Sequence, residues 1–389
     1  MIFPASRKIE YFAPGVFAEL AGWRRAAEEA GRTVLDLSIG SPDVPPALDV
    51  REALSRAALG RTSYGYTLGD IPELRLTAAE WYAGRYGVEL DPERELCSIS
   101  GSQDALVHFF LAFTDPGDAV LVPDPCFPAV MTGLRLAGAE PVAMPLRAEN
   151  GYLPDLAAIA PEDRARARVM VLSYPNNPTG AIAPDNFYRA ALDFARENRI
   201  LLLHDNAYSE LVYDGVPGRS ILEFPGSKDV AVELNSLSKS CCMPGARMAF
   251  LLGNEGVEET FSRLKSNLDL GAFLPVQLAA IAALEALSET AQKNLLTFRS
   301  RRDAFCRALA EAGLPPEPCH GGLFVWVRLP GARDDRAFAR ALFDRTAVLC
   351  APGSAFGREG RGFVRFSLML PEKLLCAAAA AVGESRLLA

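Results

Sequence analysis

The sequence predicts an α/β protein, with a mostly parallel seven-stranded sheet that carries helices on both faces and a smaller α+β domain beside it. Two observations predict this class. Between about residues 95 and 252, short apolar runs alternate with longer helical patterns, as in consecutive βαβ units. After about residue 313 the alternation gives way to a different order of strands and helices. Right-handed crossovers would put helices on both faces of the first sheet.

The apolar runs of the large sheet also locate a candidate ligand site. We predict strands at 95–99, 118–122, 140–144, 168–173, 200–204, 230–234 and 247–252. In sheets of this kind, ligands bind outside the carboxyl ends of the strands. The polar residues that directly follow each run are therefore the first candidates for function.

The remainder of the chain predicts a second domain. A helical stretch covers about 255–313, and then come strand 322–328, helix 335–345, strands 347–350 and 362–368, and a final helix. We expect a helix near 15–30 and an extended piece at 33–39 to pack against this C-terminal region. The predicted division is a large domain at 41–285, which would hold the candidate ligand site, and a small domain formed by 1–40 and 286–389.

Composition narrows the class of protein. Half of the 389 residues are hydrophobic, 23% are charged and the net charge is −8, as in a globular protein. The arginines are scattered among acidic residues, so we expect no nucleic-acid partner. Residues 1–15 lack an apolar signal region, and Gln277 and Glu285 interrupt the apolar helix 274–288. These patterns predict a cytoplasmic protein without a membrane span.

The eight cysteines point to neither disulfides nor metal. They form no C-x-x-C pair and have no histidine at metal-ligand spacing. We expect reduced, mostly buried thiols and no metal site.

Lys239 is the candidate for covalent chemistry. It lies in the segment NSLSKSCCMPGAR, just past an apolar strand and among small hydroxyl residues, whereas the other lysines, Lys265 among them, have surroundings that look solvated. A desolvated lysine with a lowered pKa is what Schiff-base chemistry requires. The alternative is an ordinary surface lysine that follows a strand.

Residues that could bind a phosphate occur in two segments. Gly101, Ser102 and Gln103 begin a predicted helix at 102–113, where free backbone N–H groups and the helix dipole favour an anion. A glycine at such a place is also ordinary turn chemistry. Near Lys239, further donors to the same anion are Ser236, Ser238 and Arg247.

Two more strand ends offer groups for a ring-shaped cofactor. Asp205 follows strand 200–204. Its carboxylate could keep a pyridine nitrogen protonated, and a protonated ring acts as an electron sink. The alternative role for Asp205 is a helix N-cap. Asn177, in the turn YPNNPTG, and Tyr208 could donate hydrogen bonds to a phenolic oxygen of the ring. The alternative for that turn is a plain loop.

Six motifs together resemble those of the class I/II aminotransferases, the pyridoxal-phosphate (PLP) enzymes of fold type I: SLSKS, DNAY, YPNNPTG, SGSQDAL, PDPCFP and VRFSL. Their order extends from IGSPDVP at 39–45 to VRFSL at 364–368. WYAGRYGVELDP, DPGDAVLVPDP and KSNLDLGAF are most similar to the bacterial group of LL-diaminopimelate, alanine and aspartate aminotransferases. The resemblance implies the fold of that family, pyridoxal 5'-phosphate as cofactor, and a homodimer with shared active sites.

The resemblance also implies roles for individual residues. The catalytic ones are Lys239 as Schiff-base lysine and general base, Asp205 at the pyridine nitrogen, and Tyr208 with Asn177 at the phenolic oxygen. Phe127, in PDPCFP, stands where the family has the aromatic residue that stacks on the ring. The phosphate would be held by Gly101, Ser102, Gln103, Ser236, Ser238 and Arg247, and by Tyr66 of the neighbouring subunit or, as the alternative, Tyr64.

Arg365 is the candidate for binding substrate. A cation within an apolar strand is costly unless it is paired, and the α-carboxylate of an amino acid would pair it; the alternative is an internal salt bridge. Gly40 would let the backbone approach the same carboxylate, with Asn177 beside it. A second cation for a dicarboxylic substrate has only weak candidates, Lys265 and the loop 266–273.

The implied reaction transfers the amino group of an L-amino acid to a 2-oxo acid, 2-oxoglutarate or pyruvate, through the Lys239 Schiff base and pyridoxamine phosphate. A PLP-dependent C–S β-lyase is the alternative on the same fold, and a non-catalytic regulator is a weaker one. Two departures from the family could reshape the pocket: Ala246 replaces a tryptophan, and Cys241-Cys242 replaces bulkier or polar residues.

Overall fold

The computed structural model describes residues 3–6, 8–9, 12 and 15–388. Within that part of the chain the α-helices are α1 (Val16–Glu29), α2 (Leu48–Ala58), α3 (Pro72–Tyr86), α4 (Ser102–Phe113), α5 (Pro128–Ala137), α6 (Pro161–Arg166), α7 (Asp185–Asn198), α8 (Leu237–Ser240), α9 (Glu255–Lys265), α10 (Leu274–Glu285), α11 (Leu287–Glu311), α12 (Asp335–Thr346) and α13 (Glu372–Glu384). None of these helices combines the length and the apolar character that a membrane span needs.

The strands are β1 (Leu35–Asp36), β2 (Leu96–Ile99), β3 (Ala119–Asp124), β4 (Glu140–Pro145), β5 (Ala167–Ser173), β6 (Leu201–Asp205), β7 (Ala231–Ser236), β8 (Ala249–Gly253), β9 (Phe324–Arg328), β10 (Val348–Leu349), β11 (Ala351–Pro352) and β12 (Phe363–Ser367). Seven of them form the large sheet, in the order β2-β8-β7-β6-β5-β3-β4. Neighbours among β3 to β7 are parallel, and β8 is antiparallel to β2 and β7. The predicted mostly parallel seven-stranded sheet is confirmed, and strand ends differ by about one or two residues.

Apolar side chains on both faces of the large sheet are covered by helices. Along β5, Val169 and Val171 join a cluster with residues of α4, α5 and α9. The alternate residues Met170 and Leu172 join a second cluster with residues of α3, α7 and α10. Because side chains alternate across a strand, a strand buried on both faces carries a continuous apolar run, as residues 169–172 do here.

The parallel strands end in register at one edge of the sheet. Ser173 at the end of β5 lies opposite Asp205 at the end of β6, and Asp205 lies opposite Leu234 of β7. The residues that follow these strands therefore meet at that edge, where the chemistry is concentrated.

The C-terminal region forms a smaller sheet in the order β11-β12-β9, packed with α11 and α13. The predicted strand 347–350 corresponds to β10, which pairs with β1, and a further short strand that was not predicted, β11, follows it and pairs with β12. The expected contact of the N-terminal extended piece with this region is confirmed by the β1–β10 pair. The predicted helical stretch 255–313 is divided into α9, α10 and α11. The domain boundaries at 40/41 and 285/286 stay a prediction.

Candidate active site

A cavity of about 360 Å³ lies at the carboxyl ends of the large-sheet strands, where the C-terminal region covers them. It brings together most of the residues that the sequence singled out, namely Gly40, Ser102, Gln103, Phe127, Asn177, Asp205, Tyr208, Ser236, Ser238, Lys239, Arg247 and Arg365. Sequence reasoning had not assigned its other lining residues, Phe17, Ile39, Ser41, Ala207, Pro244 and Phe324. Phe17 lies on a helix and Phe324 on a strand. The apolar pattern of each element indicates that one face is buried, but it does not indicate which residues that face contacts.

Lys239 extends into this cavity from the short helix α8, which begins directly after β7. Ser236 caps that helix by accepting a hydrogen bond from the Ser238 N–H at 3.2 Å. The Lys239 amino group donates a hydrogen bond to the Gly40 carbonyl. Burial, together with the nearby cations Arg365 and Arg247, lowers the pKa of Lys239 to about 8. The predicted desolvation is confirmed, and a useful fraction of the amine is neutral and nucleophilic near neutral pH.

The anion end of the cavity lies at the N-terminus of α4. Gly101 precedes this twelve-residue helix with φ of 87°, a conformation that favours glycine. A Cβ at Gly101 would lie 2.1 Å from a guanidinium nitrogen of Arg247, so a larger residue would displace that side chain. Arg247 itself has φ of 55° and donates to the Pro244 carbonyl at 2.9 Å. A cation and free helix N–H groups thus meet where a phosphate would be bound.

Asp205 is buried at the end of β6, with 7% of its surface exposed. One of its oxygens accepts a weak hydrogen bond from the Ala207 N–H at 3.3 Å. Burial raises the pKa of Asp205 to about 6, although the Ala207 N–H and His204 act in the opposite direction. A cationic partner would stabilise the ionised form of this buried carboxyl group.

A buried carboxylate that the sequence did not reveal lies beneath Asp205. Glu233 of β7 is fully buried and accepts hydrogen bonds from the Tyr82 hydroxyl at 2.7 Å and the Ser220 hydroxyl at 2.9 Å. His204 Nδ1 is 3.0 Å from the same carboxylate. These contacts satisfy Glu233, which is itself one of the charges that raise the pKa of Asp205.

Arg365 is a buried cation without a carboxylate partner among the described residues. It is 2% exposed and donates to the Asn177 side-chain oxygen at 2.8 Å and to the Ser38 carbonyl at 2.7 Å, while its Nε has no partner. Its guanidinium carbon lies 3.8 Å from the ring centroid of Phe324. Burial lowers the pKa of Arg365 to about 9. The internal salt bridge considered as an alternative is absent from the ion pairs of the described chain.

Two further predicted residues lie beside Arg365. Asn177 accepts a hydrogen bond from Arg365. Tyr208 is buried, and burial raises its pKa well above its usual value. Gly40 is required by packing, because a Cβ there would lie 2.4 Å from the Phe324 ring. Its expected role in the approach of substrate stays a prediction.

Some predicted residues lie apart from the cavity. Tyr66 is 93% exposed, and the Tyr64 hydroxyl donates to the Ala58 carbonyl at 2.8 Å. Cys241 and Cys242 are buried, and neither they nor Ala246 belong to the cavity wall formed by the described residues. The effect of these departures on the pocket stays a prediction.

The expectation of a solvated Lys265 is wrong. Its amino group is buried and bound to Asp269 at 2.8 Å and to the Leu270 carbonyl at 2.7 Å. These contacts neutralise it as a structural group, so it does not supply a second cation to the cavity.

The cavity fits pyridoxal phosphate. It offers a largely buried amine, an anion site at a helix N-terminus, and a buried acid that could face a ring nitrogen. The unpartnered Nε of the buried Arg365 offers a second place for an anion.

Comparisons with known proteins agree with the chemistry that the cavity residues suggest. Residues 32–382 match the family model of aminotransferase class I and II. The chain is 41% identical over 372 residues to the LL-diaminopimelate aminotransferase of Desulforudis audaxviator, covering 95% of both chains, and 37% identical over 369 residues to that of Moorella thermoacetica, again covering 95% of both. Among solved structures, substrate-bound BacF from Bacillus subtilis has a TM-score of 0.95 at 33% identity, covering 98% of both chains. A probable N-succinyldiaminopimelate aminotransferase from Thermus thermophilus has a TM-score of 0.89 at 38% identity, covering 95% of this chain and all of that one.

Proposed function

The chain belongs to the class I and II aminotransferases, which depend on pyridoxal phosphate, and we propose that it moves the amino group of an L-amino acid to a 2-oxo acid with Lys239 as the residue that carries the cofactor. The observation that carries this proposal is the pairing, in one cavity, of a desolvated lysine with a buried arginine that has no carboxylate partner among the described residues. The first supplies the amine and the second binds the substrate.

The cofactor would be held at both ends. Ser102, Gln103, Ser236, Ser238, Gly101 and Arg247 would bind its phosphate, with Phe127 against the ring. Asp205 would pair with the pyridine nitrogen, which removes the cost of burying that carboxylate. Asn177 and Tyr208 would donate hydrogen bonds to the phenolic oxygen. When bound, the cofactor supplies the electron sink that stabilises negative charge at the substrate Cα.

Lys239 is proposed as the general base as well as the anchor. Once the substrate amine has displaced it, its amino group is free beside the substrate Cα and can take the proton from that carbon. A pKa of about 8 suits this exchange near neutral pH. The same amine then returns a proton to complete the transfer of the amino group.

Arg365 would hold the substrate by its α-carboxylate. The guanidinium is already oriented by Asn177 and by the Ser38 carbonyl, so little side-chain freedom is lost on binding. A bidentate pair would fix the Cα–H bond towards Lys239 and exclude water from the buried cation.

The active enzyme is proposed to be a homodimer. Leu59, Tyr66 and Leu68 are 84%, 93% and 79% exposed and all lie in the segment 59–68, which concentrates exposed apolar surface there. Tyr66, remote from the cavity of its own chain, would reach the phosphate bound by the other subunit. We also propose a cytoplasmic enzyme, because all eight cysteines are free thiols.

The half-reaction tests this function. The absorbance spectrum of the holoenzyme is recorded while an amino acid is added in the absence of any oxo acid. Conversion of the bound cofactor to its amine form, followed by recovery on addition of 2-oxoglutarate or pyruvate, is expected. Lys239→Ala should abolish the conversion, whereas Lys293→Ala, which removes an exposed lysine of α11, should not. Release of pyruvate and ammonia from an amino acid alone would replace this function with a β-lyase.

A further inference from the structure

We infer that Asp36, which is not among the described residues that line the cavity, is a positioning residue for the arginine that binds the substrate α-carboxylate. It acts through Ser38, whose carbonyl group accepts a hydrogen bond from Arg365. The inference rests on the proposed function, since it concerns how Arg365 is oriented for substrate. A continuous chain of hydrogen bonds from Asp36 to the guanidinium group supports it.

The guanidinium group of Arg365 is held by one acceptor at each terminal nitrogen. Nη1 donates to the Asn177 side-chain oxygen at 2.8 Å, and Nη2 donates to the Ser38 carbonyl at 2.7 Å. A planar guanidinium forms two parallel hydrogen bonds with a carboxylate only when its plane is correctly oriented. Because the two acceptors together set that plane, a shift of the Ser38 carbonyl would turn it.

The side chain of Asp36 fixes the residue that carries this carbonyl. Its Oδ1 atom accepts hydrogen bonds from the Ser38 N–H at 2.9 Å and from the Ser38 hydroxyl at 2.6 Å. This is the geometry of an Asx turn, in which a carboxylate binds the backbone two residues further on. Hydrogen bonds to an ionised carboxylate are about twice as strong as those between neutral groups. Since both donors belong to Ser38, its backbone has little freedom to rotate.

Strand pairing does not replace this support, because it ends one residue earlier. The Leu37 N–H donates to the Leu349 carbonyl, and the Leu37 carbonyl accepts from the Ser367 N–H, both at 2.8 Å. The next N–H, that of Ser38, bonds to the Asp36 carboxylate rather than to a neighbouring strand. Asp36 therefore holds the chain at the point where regular pairing stops and the segment enters the cavity wall.

The other oxygen of the same carboxylate connects the turn to α1. Oδ2 accepts a hydrogen bond from Arg24 at 3.2 Å, and the Asp36 side chain is 16% exposed. The helix α1 also carries Phe17, whose ring centroid lies 5.6 Å from the Arg365 guanidinium carbon. Asp36 thus restrains both an acceptor of Arg365 and a helix that packs beside it.

A double-mutant cycle on the holoenzyme tests whether Asp36 acts through Arg365. The limiting rate (kcat) and the half-saturating concentration (KM) of the half-reaction are measured from absorbance, without an oxo acid. The substrate is whichever of the common L-amino acids and LL-diaminopimelate converts the cofactor fastest. Asp36→Ala should raise KM roughly tenfold and change kcat less than about threefold, because a loosened guanidinium binds the carboxylate less well but leaves the reacting groups in place. In the Arg365→Lys background, which lacks the bidentate contact, the same change should lower kcat/KM less than about twofold.

Two further variants control the result. Asp36→Asn keeps an acceptor oxygen for Ser38 but loses the charge, so KM should rise roughly threefold; the same cycle is read from this variant if Asp36→Ala does not fold. Asp155→Ala is the matched control. Asp155 accepts from the Ala157 N–H at 3.0 Å in a turn of the same kind, outside the cavity wall formed by the described residues, and its variant should match the parent.

The outcomes separate this inference from the function on which it rests. Equal losses of kcat/KM in the parent and in the Arg365→Lys background would overturn the inference, since the two residues would then act independently. An unchanged KM would overturn it as well. In both cases the parent still converts its cofactor, so the aminotransferase stands. If no amino acid converts the cofactor of the parent, the proposed function fails and this inference falls with it.

Discussion

Replacing Asp205 with asparagine should stabilise the cofactor-free protein at neutral pH while removing its activity. The carboxyl group is 7% exposed, its hydrogen bond from the Ala207 N–H is long at 3.3 Å, and its pKa is raised to about 6 by burial. Without a cationic ring beside it, the ionised carboxylate is an unfavourable group in the folded protein. Asparagine has a similar shape and carries no charge.

The size and sign of the effect follow from proton linkage. Because the folded pKa lies above the unfolded value of 3.8, the folded state binds more protons between these two values. The free energy of unfolding therefore falls as pH rises through this window. At 1.36 kcal/mol for each pKa unit, a rise from 3.8 to about 6 corresponds to about 3 kcal/mol, most of it between pH 4 and pH 7. The asparagine variant does not undergo this loss.

Urea unfolding of the two cofactor-free proteins from pH 4 to pH 8, at one protein concentration, measures the difference. The stability of Asp205→Asn relative to the parent should grow by about 2 kcal/mol over that range, because part of the full effect lies below pH 4. Glu29→Gln, at an exposed carboxyl group in α1, is the control and should show no such trend. A difference that stays flat or shrinks with pH would refute the reasoning. In the holoenzyme the same variant should lose activity by at least about 100-fold, because the ring nitrogen has lost its carboxylate.

Three further predictions concern the amine, the arginine and the exposed tyrosine. The neutral amine of Lys239 is the reacting form, and its pKa is about 8. The rate of cofactor loading should therefore rise about tenfold from pH 7 to pH 9 and then level off. A rate that continues to rise beyond pH 10 would contradict the lowered pKa. Arg365→Lys should raise KM for the amino acid at least about tenfold with a smaller change in kcat, because the bidentate contact is lost. An unchanged KM in steady-state kinetics would show that Arg365 does not bind the substrate carboxylate. Tyr66→Phe should weaken cofactor affinity roughly tenfold in a dialysis titration, and Tyr64→Phe should not; the reverse result would exchange the two tyrosines.

The large sheet and the polar residues at its strand ends could be predicted because both leave local signals. Each buried strand is a short apolar run, and parallel strands place whatever follows them at one edge. Asp205, Asn177 and Lys239 therefore converge as their positions after strands require. The site was predictable to the extent that its residues lie on these ends.

What the sequence did not predict depends on contacts between distant segments. Lys265 is buried because Asp269 and the Leu270 carbonyl turn back onto it, which no hydrophobic pattern records. Phe324 and Phe17 line the cavity through the packing of the C-terminal region and α1 over the large sheet. The short strand β11 was not predicted, because it is recognisable only by its pairing with β12, while the adjacent β10 pairs with the distant β1.

The most direct test of the central claim is to fix the cofactor to the protein. The holoenzyme is treated with borohydride, which makes the link between pyridoxal phosphate and its lysine permanent, and is then digested and mapped by mass spectrometry. The account predicts the added cofactor mass on the peptide that contains Lys239, and its loss in Lys239→Ala. Cofactor attached to another lysine, or to none, would contradict it.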